Sequence, residues 1–150
     1  MPVDVLTGIQ IARPRREVAA FATKPSNATR WYRNIRTVEW ETPPPLAIGS
    51  RVRFRAVFLG RTLEYTYEVR EFQQFDCLVM GTTDGPFVME TTYTWADAAG
   101  GTRMTLRNRG EPAGFARALA PVMETAMRRA NRGDLARLKS LLEGLEEGQT

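Results

Sequence analysis

The sequence predicts an α+β fold in which a curved antiparallel sheet of about seven strands closes around one long C-terminal helix. Three observations carry this. Residues 121–146 form the longest helical pattern, with apolar side chains recurring every three or four positions. Residues 50–109 hold segments that alternate apolar and polar side chains between Gly- and Pro-bearing turns. Two short helical patterns, broken by proline, follow the first strand-like segment. A sheet with one apolar face must cover it, and the terminal helix is the element long enough to do so. Such a sheet gripping a helix leaves room between them.

Taken in order, residues 3–13 place Val5, Thr7, Ile9 and Ile11 on one face of a strand. Pro14 suits the start of a helix that puts Val18, Phe21 and Ala22 on one side. Pro25 ends it, and Ser26 or Asn27 caps a second short helix carrying Trp31 and Tyr32. A strand over residues 34–41 runs into the rigid turn Thr42-Pro43-Pro44-Pro45. Val52, Phe54, Ala56 and Phe58 then share one strand face, with Arg51, Arg53 and Arg55 opposite. Gly60 turns the chain into a strand with Leu63, Tyr65, Tyr67 and Val69 inward and Glu64, Thr66, Glu68 and Arg70 outward. The Arg and Glu rows face each other across this hairpin. Another strand begins at Cys77, and Asp84-Gly85-Pro86 makes the next turn. Phe87, Met89, Thr91, Tyr93 and Trp95 then point inward, as do Thr102, Met104, Leu106 and Asn108 after the Ala99-Gly100-Gly101 turn. Residues 113–120 predict a short helical turn, with a break or kink at Pro121. The final helix then presents Val122, Met123, Ala126, Met127, Ala130, Leu135, Leu138, Leu142 and Leu145 as its stripe.

Composition narrows the chemistry. The 150 residues, 43% apolar and 25% charged, fit one globular domain with a substantial core. A net charge of +4 and a pI near 9.7 come mostly from arginines that alternate with apolar residues. That pattern describes a solvated outer sheet face and predicts no nucleic-acid partner. Cys77 is the single cysteine, so no intrachain disulfide forms; with no signal peptide evident, a cytoplasmic location is expected. No apolar run reaches the roughly 18 residues that span a bilayer. Histidine is absent, which excludes Ser-His-Asp and Cys-His catalysis and removes the commonest metal ligand. Neither a metal nor a cofactor is expected.

Several motifs read as structural. Cys77 has no histidine to activate it, Glu90 lies on the outer face, and Asp84 and Glu111 suit turns. Gly60, Gly81 and Gly85 lack phosphate-loop spacing, while Trp31 and Trp40 fit core or gate packing.

The chain resembles the polyketide cyclase/dehydrase group of the SRPBCC (START-like, birch-pollen-allergen-like) superfamily. The resemblance rests on IARPRREVAAFAT, RWYRNI, IGSRVRFRAVFLGRTLEYTYEV, GPFVMETTYTWADAAGGTRMTL and the arginine-bearing terminal helix, in that order. It implies a helix-grip fold with a cavity between sheet and helix. Members bind lipids, sterols, polyketides and other apolar molecules, and some are cyclases. The group has no shared catalytic motif to carry across, and the iron-ligand pattern of Rieske-linked hydroxylases is not seen.

The candidate lining follows from strand parity. Tyr65, Tyr67, Thr91, Tyr93, Trp95 and Asn108 are its aromatic and polar members. Phe54, Phe58, Met89 and Met104 add apolar wall from the strands, and Met123 and Met127 add it from the helix. For each residue the alternative is plain core packing. Three functions fit: binding of a small hydrophobic molecule, a cyclase or dehydratase using tyrosine or pocket water for proton transfer, and a protein-interaction module with a filled interior. A carboxylate inside the cavity would favour the enzyme. A homodimer is compatible with the sequence.

Overall fold

The computed structural model describes residues 3–58, 60–83, 88–111 and 118–148, with side chains up to residue 144. Seven strands form one antiparallel sheet: β1 (Val3–Ile11), β2 (Ile35–Trp40), β3 (Arg51–Phe58), β4 (Arg61–Gln73), β5 (Cys77–Thr82), β6 (Val88–Ala98) and β7 (Gly101–Glu111). Their spatial order is β1-β7-β6-β5-β4-β3-β2, so the first strand closes one edge and the second the other. Helix α1 (Arg15–Ala22), a 3₁₀ turn (Pro25–Asn27) and α2 (Ala28–Trp31) connect these two edges. Helix α3 (Ala120–Gly148) follows the last strand.

Period-2 patterning sets the sheet. In β7, Thr102, Met104, Leu106 and Asn108 are all buried, and in β6 Met89, Thr91, Tyr93 and Trp95 are. Arginines and glutamates take the wet face, where Arg51 meets Glu68 at 3.2 Å and Arg109 meets Glu90 at 3.1 Å. Such exposed pairs contribute little to stability. Thr66 departs from the alternation: it is buried on the outer side and donates to Glu41. Phe87, Asp84 and Gly85 lie outside the described residues.

Sheet and helices meet in one large core, in which Leu135, Leu138 and Leu142 of α3 join Val18 and Ala19 of α1 and Leu78, Trp95, Met104 and Leu106 of the sheet. The anticipated cap differs in detail. Asn27 stands at the N-cap of α2 but makes no capping bond, because its amide donates back to the Phe21 carbonyl. Most of residues 113–120 lie outside the described part. Helix α3 starts one residue before Pro121, which therefore occupies the first turn, where a missing N–H does no harm.

The buried stripe of α3 differs from the expected one. Val122 is 57% exposed, while the neighbouring Met123 packs on Val3, Val5 and Ala120. Adjacent residues lie about 100° apart on a helix, and here Met123 takes the sheet-facing direction while Val122 points away from it. Farther along, Asn131 and Asp134 are buried on the inward face beside the leucines. Leu145 falls beyond the described side chains.

Helix α3 runs along β1 and fastens to that edge strand with its polar side chains. The Asp4 and Ala12 N–H groups donate to Glu124 and Glu143 at 3.1 and 2.8 Å. Arg128 and Lys139 donate to the carbonyls of Leu6 and Gln10 at 3.4 and 2.9 Å. Backbone groups that would otherwise form an open sheet edge are thereby occupied.

Candidate functional site

One half of the space between sheet and helix is solid and the other is hollow. Around α1 and the C-terminal part of α3, aliphatic and aromatic side chains fill the interior. Towards the β3–β4 hairpin and α2, a cavity of about 160 Å³ remains. Short α2 lies against α3 and β2 at this end and contributes Ala28 and Trp31 to the cavity wall.

Nine of the twelve residues anticipated as lining surround this cavity. Phe54 and Phe58 come from β3, Tyr65 and Tyr67 from β4, Met89, Thr91 and Tyr93 from β6, Asn108 from β7 and Met127 from α3. Three do not. Trp95 and Met104 have the right parity but lie farther along their strands, in the solid half against Leu135 and Leu138. Met123 sits one turn too early on α3, in the separate cluster with Val3 and Val5. Parity gives the face of a strand, not the position along it.

The wall is strongly aromatic. Tyr65 and Tyr67 stand edge-on at 5.3 Å between centroids, and Phe54 meets Tyr67 edge-on at 5.7 Å. Trp31 of α2 lies over Tyr32 at 4.0 Å and reaches Tyr93 at 5.9 Å. These offset and edge contacts hold the rings rigidly. Trp31, expected in core or gate packing, and Tyr32, for which the sequence suggested no role, thus both belong to the wall.

Polar groups in this wall form a directed chain. Asn131 of α3 donates to Asn108 at 2.7 Å, Asn108 to Thr91 at 2.8 Å, and Thr91 to the Tyr67 oxygen at 3.0 Å. Every link passes its proton towards Tyr67, whose own O–H has no protein acceptor among the described residues. Tyr32 and Tyr93 share a short hydroxyl–hydroxyl bond. That bond uses one of their two protons and leaves the other to donate. The buried Trp31 indole N–H likewise has no acceptor among the described residues.

Burial keeps these hydroxyls neutral. It pushes Tyr67 up to about 12 despite the opposing Thr91 hydrogen bond, and it moves Tyr32, Tyr65 and Tyr93 upward as well. At neutral pH all four are hydrogen-bond donors.

Asp134 stands among them. It is 4% exposed, lines the cavity, and accepts a hydrogen bond from the Arg33 backbone N–H at 3.0 Å on one oxygen. Its other oxygen has no partner among the described residues. Burial raises its pKa to about 6, against the lowering influence of the Arg33 N–H and the Arg137 and Arg33 charges. The signal for Asn131 and Asp134 was present in the sequence. Positions 127, 131, 134 and 138 follow helical spacing, so both polar residues sit on the stripe that apolar counting traced around them.

Other candidates stay structural. Glu90 pairs with Arg109 and Arg70 on the outer face. Burial, Glu71 and Asp76 all raise the Cys77 pKa, which suppresses its thiolate. Among the described residues no cluster of His, Cys, Asp or Glu could hold a metal, and no helix is long and apolar enough to cross a membrane.

The curved antiparallel sheet, the terminal helix and the cavity between them define a helix-grip protein. The chain belongs to the family described as polyketide cyclase / dehydrase and lipid transport, whose model matches residues 2–143. No curated protein matches it in sequence. Solved structures share the fold at low identity. TTHA0849 from Thermus thermophilus superposes with a TM-score of 0.80 at 19% identity, covering 91% of this chain and 94% of its own. The Zhui aromatase/cyclase from Streptomyces sp. R1128 gives 0.79 at 14% identity over 95% and 94% of the two chains. A START superfamily protein from Mycobacterium smegmatis gives 0.79 at 12% identity over 95% and 98%.

Proposed function

We propose that this protein binds a small hydrophobic molecule of about one ring between sheet and helix, oriented through an oxygen that accepts from Tyr67. The observation that supports it best is the 160 Å³ cavity, walled by aromatic rings and supplied with O–H and N–H donors that no described protein group satisfies. An apolar cavity of roughly 150 Å³ is enough for benzene. It is below the roughly 300–1,000 Å³ of drug-sized sites, so a larger guest would need the wall to open. Binding is driven by desolvation of ligand and wall, at about 25 cal/mol per Å² before association is charged against it. Orientation comes from the unspent donors.

Calorimetric titration with benzyl alcohol and toluene tests this reading. Benzyl alcohol should bind the native protein more tightly than toluene. Tyr67→Phe should weaken the alcohol by roughly 3- to 10-fold, the usual worth of one hydrogen bond, and leave toluene unchanged. Absence of any binding by either compound would overturn it. Native mass spectrometry of gently purified protein would identify a resident guest directly.

Asp134 favours a second reading, a cyclase or dehydratase. A buried carboxyl with a pKa near 6 can take a proton from a carbon beside a carbonyl while tyrosine hydroxyls stabilise the oxygen. Exchange of the methyl protons of acetophenone into deuterated buffer, followed by NMR, tests it; enzyme must accelerate the exchange and Asp134→Asn must abolish the acceleration. An interaction module with a filled interior is the weakest reading, because it leaves the cavity without a purpose. Outer-face arginines engaged with Glu41, Glu64, Glu68, Glu90 and Asp4 support the absence of a nucleic-acid partner. A cytoplasmic location belongs with this reading, on the single cysteine.

A further inference from the structure

We infer that the cavity selects a small one-ring organic cation, an aryl-methylammonium or its like, whose charged nitrogen is held by Asp134 against the faces of Tyr32, Tyr93 and Trp31. This rests on the part of the reading above that seats a one-ring guest in the cavity, and it moves the polar anchor from an oxygen at Tyr67 to a cationic nitrogen at Asp134.

Asp134 is almost completely buried, yet no Lys or Arg side chain among the described residues comes within ion-pair distance of it. Arg33 and Arg137 are near enough to be felt electrostatically, but both side chains lie exposed on the outside. Lys24, the other formally charged residue of the lining, is exposed as well. The backbone N–H of Arg33 satisfies one carboxylate oxygen only. A largely buried carboxylate whose second oxygen has no protein partner among the described residues and belongs to the cavity lining offers a cationic guest an ion pair.

Its surroundings suit the same guest. Tyr32 and Tyr93 are close enough for the Asp134 charge to oppose their ionisation, so carboxylate and rings share one neighbourhood. Trp31 lies tilted against Tyr32 and reaches the Tyr93 ring at 5.9 Å. Electron-rich ring faces beside a negative charge attract ammonium groups, more strongly when water is excluded. A neutral donor would gain only a hydrogen bond there, and an anion would meet repulsion. Because Asp134 is desolvated on folding, the ligand adds only its own desolvation to the cost of pairing.

Three probes of one shape decide the matter: benzylammonium, benzyl alcohol and benzoate, titrated calorimetrically into the native protein at pH 8. Benzylammonium should bind at least about tenfold more tightly than benzyl alcohol, and benzoate most weakly. Asp134→Asn, which keeps an acceptor for the Arg33 N–H, should erase the preference for benzylammonium over benzyl alcohol. If benzyl alcohol equals or exceeds benzylammonium on the native protein, this inference is overturned and the hydrophobic-ligand reading stands. If none of the three binds, both are overturned. The comparison among probes on unaltered protein decides without the variant, should Asp134→Asn fold poorly.

Discussion

Asp134 carries its carboxyl into a place that disfavours charge, and stability must register this. Its pKa rises from 3.8 to about 6 on folding. A proton is therefore held more firmly by the folded chain, and the folded state loses stability as pH climbs between these values. Above about pH 6 the ionised side chain should destabilise the fold by on the order of 2–3 kcal/mol relative to its protonated form. Asp134→Asn removes that penalty and keeps the Arg33 bond. Denaturant titrations should show native and variant proteins alike at pH 4 and the variant more stable at pH 8; equal pH slopes for both would refute the assignment. At this scale the sequence exposed the aromatic lining well, because strand parity dictates which side chains face inward. It hid Asn131 and Asp134, because a search for apolar periodicity passes over polar residues on the buried stripe. They are recognisable by spacing alone.

At the level of elements, period-2 alternation was strong enough to reveal β3, β4, β6 and β7 almost residue by residue, since each has one dry and one wet face. The long helix was equally visible. Its attachment was not, because the contacts of Glu124, Arg128, Lys139 and Glu143 with β1 join positions more than a hundred residues apart. The glycines separate two kinds of local constraint. A methyl group added at Gly101 would lie 2.0 Å from the Ile11 carbonyl oxygen, where β7 begins beneath the end of β1. Gly133 and Gly144 in α3 face open space. Gly133→Ala and Gly144→Ala should each stabilise the protein by about 0.8–1 kcal/mol through helix propensity. Gly101→Ala should destabilise it by roughly 1–3 kcal/mol, as overpacking does. Thermal unfolding of the three variants checks the opposite signs.

For the molecule as a whole, the division into a solid and a hollow half separates stability from recognition. Leu138 is fully buried in the solid half, and Leu138→Ala should cost about 2–5 kcal/mol with little change in ligand affinity once the protein is folded. Urea unfolding and titration on the same variant measure both. The hollow half offers less packing, which a bound guest restores: at a concentration roughly 100 times its dissociation constant it adds about 2.7 kcal/mol.

A packing void also has mechanical consequences. The 160 Å³ left open by the grip is space that vanishes when the chain unfolds and water reaches every surface. Hydrostatic compression should therefore unfold the empty protein readily, with a volume decrease towards the upper end of the ~20–100 mL/mol range seen for proteins. An occupant that fills the gap should reduce that decrease, so the response to compression reports whether anything is inside.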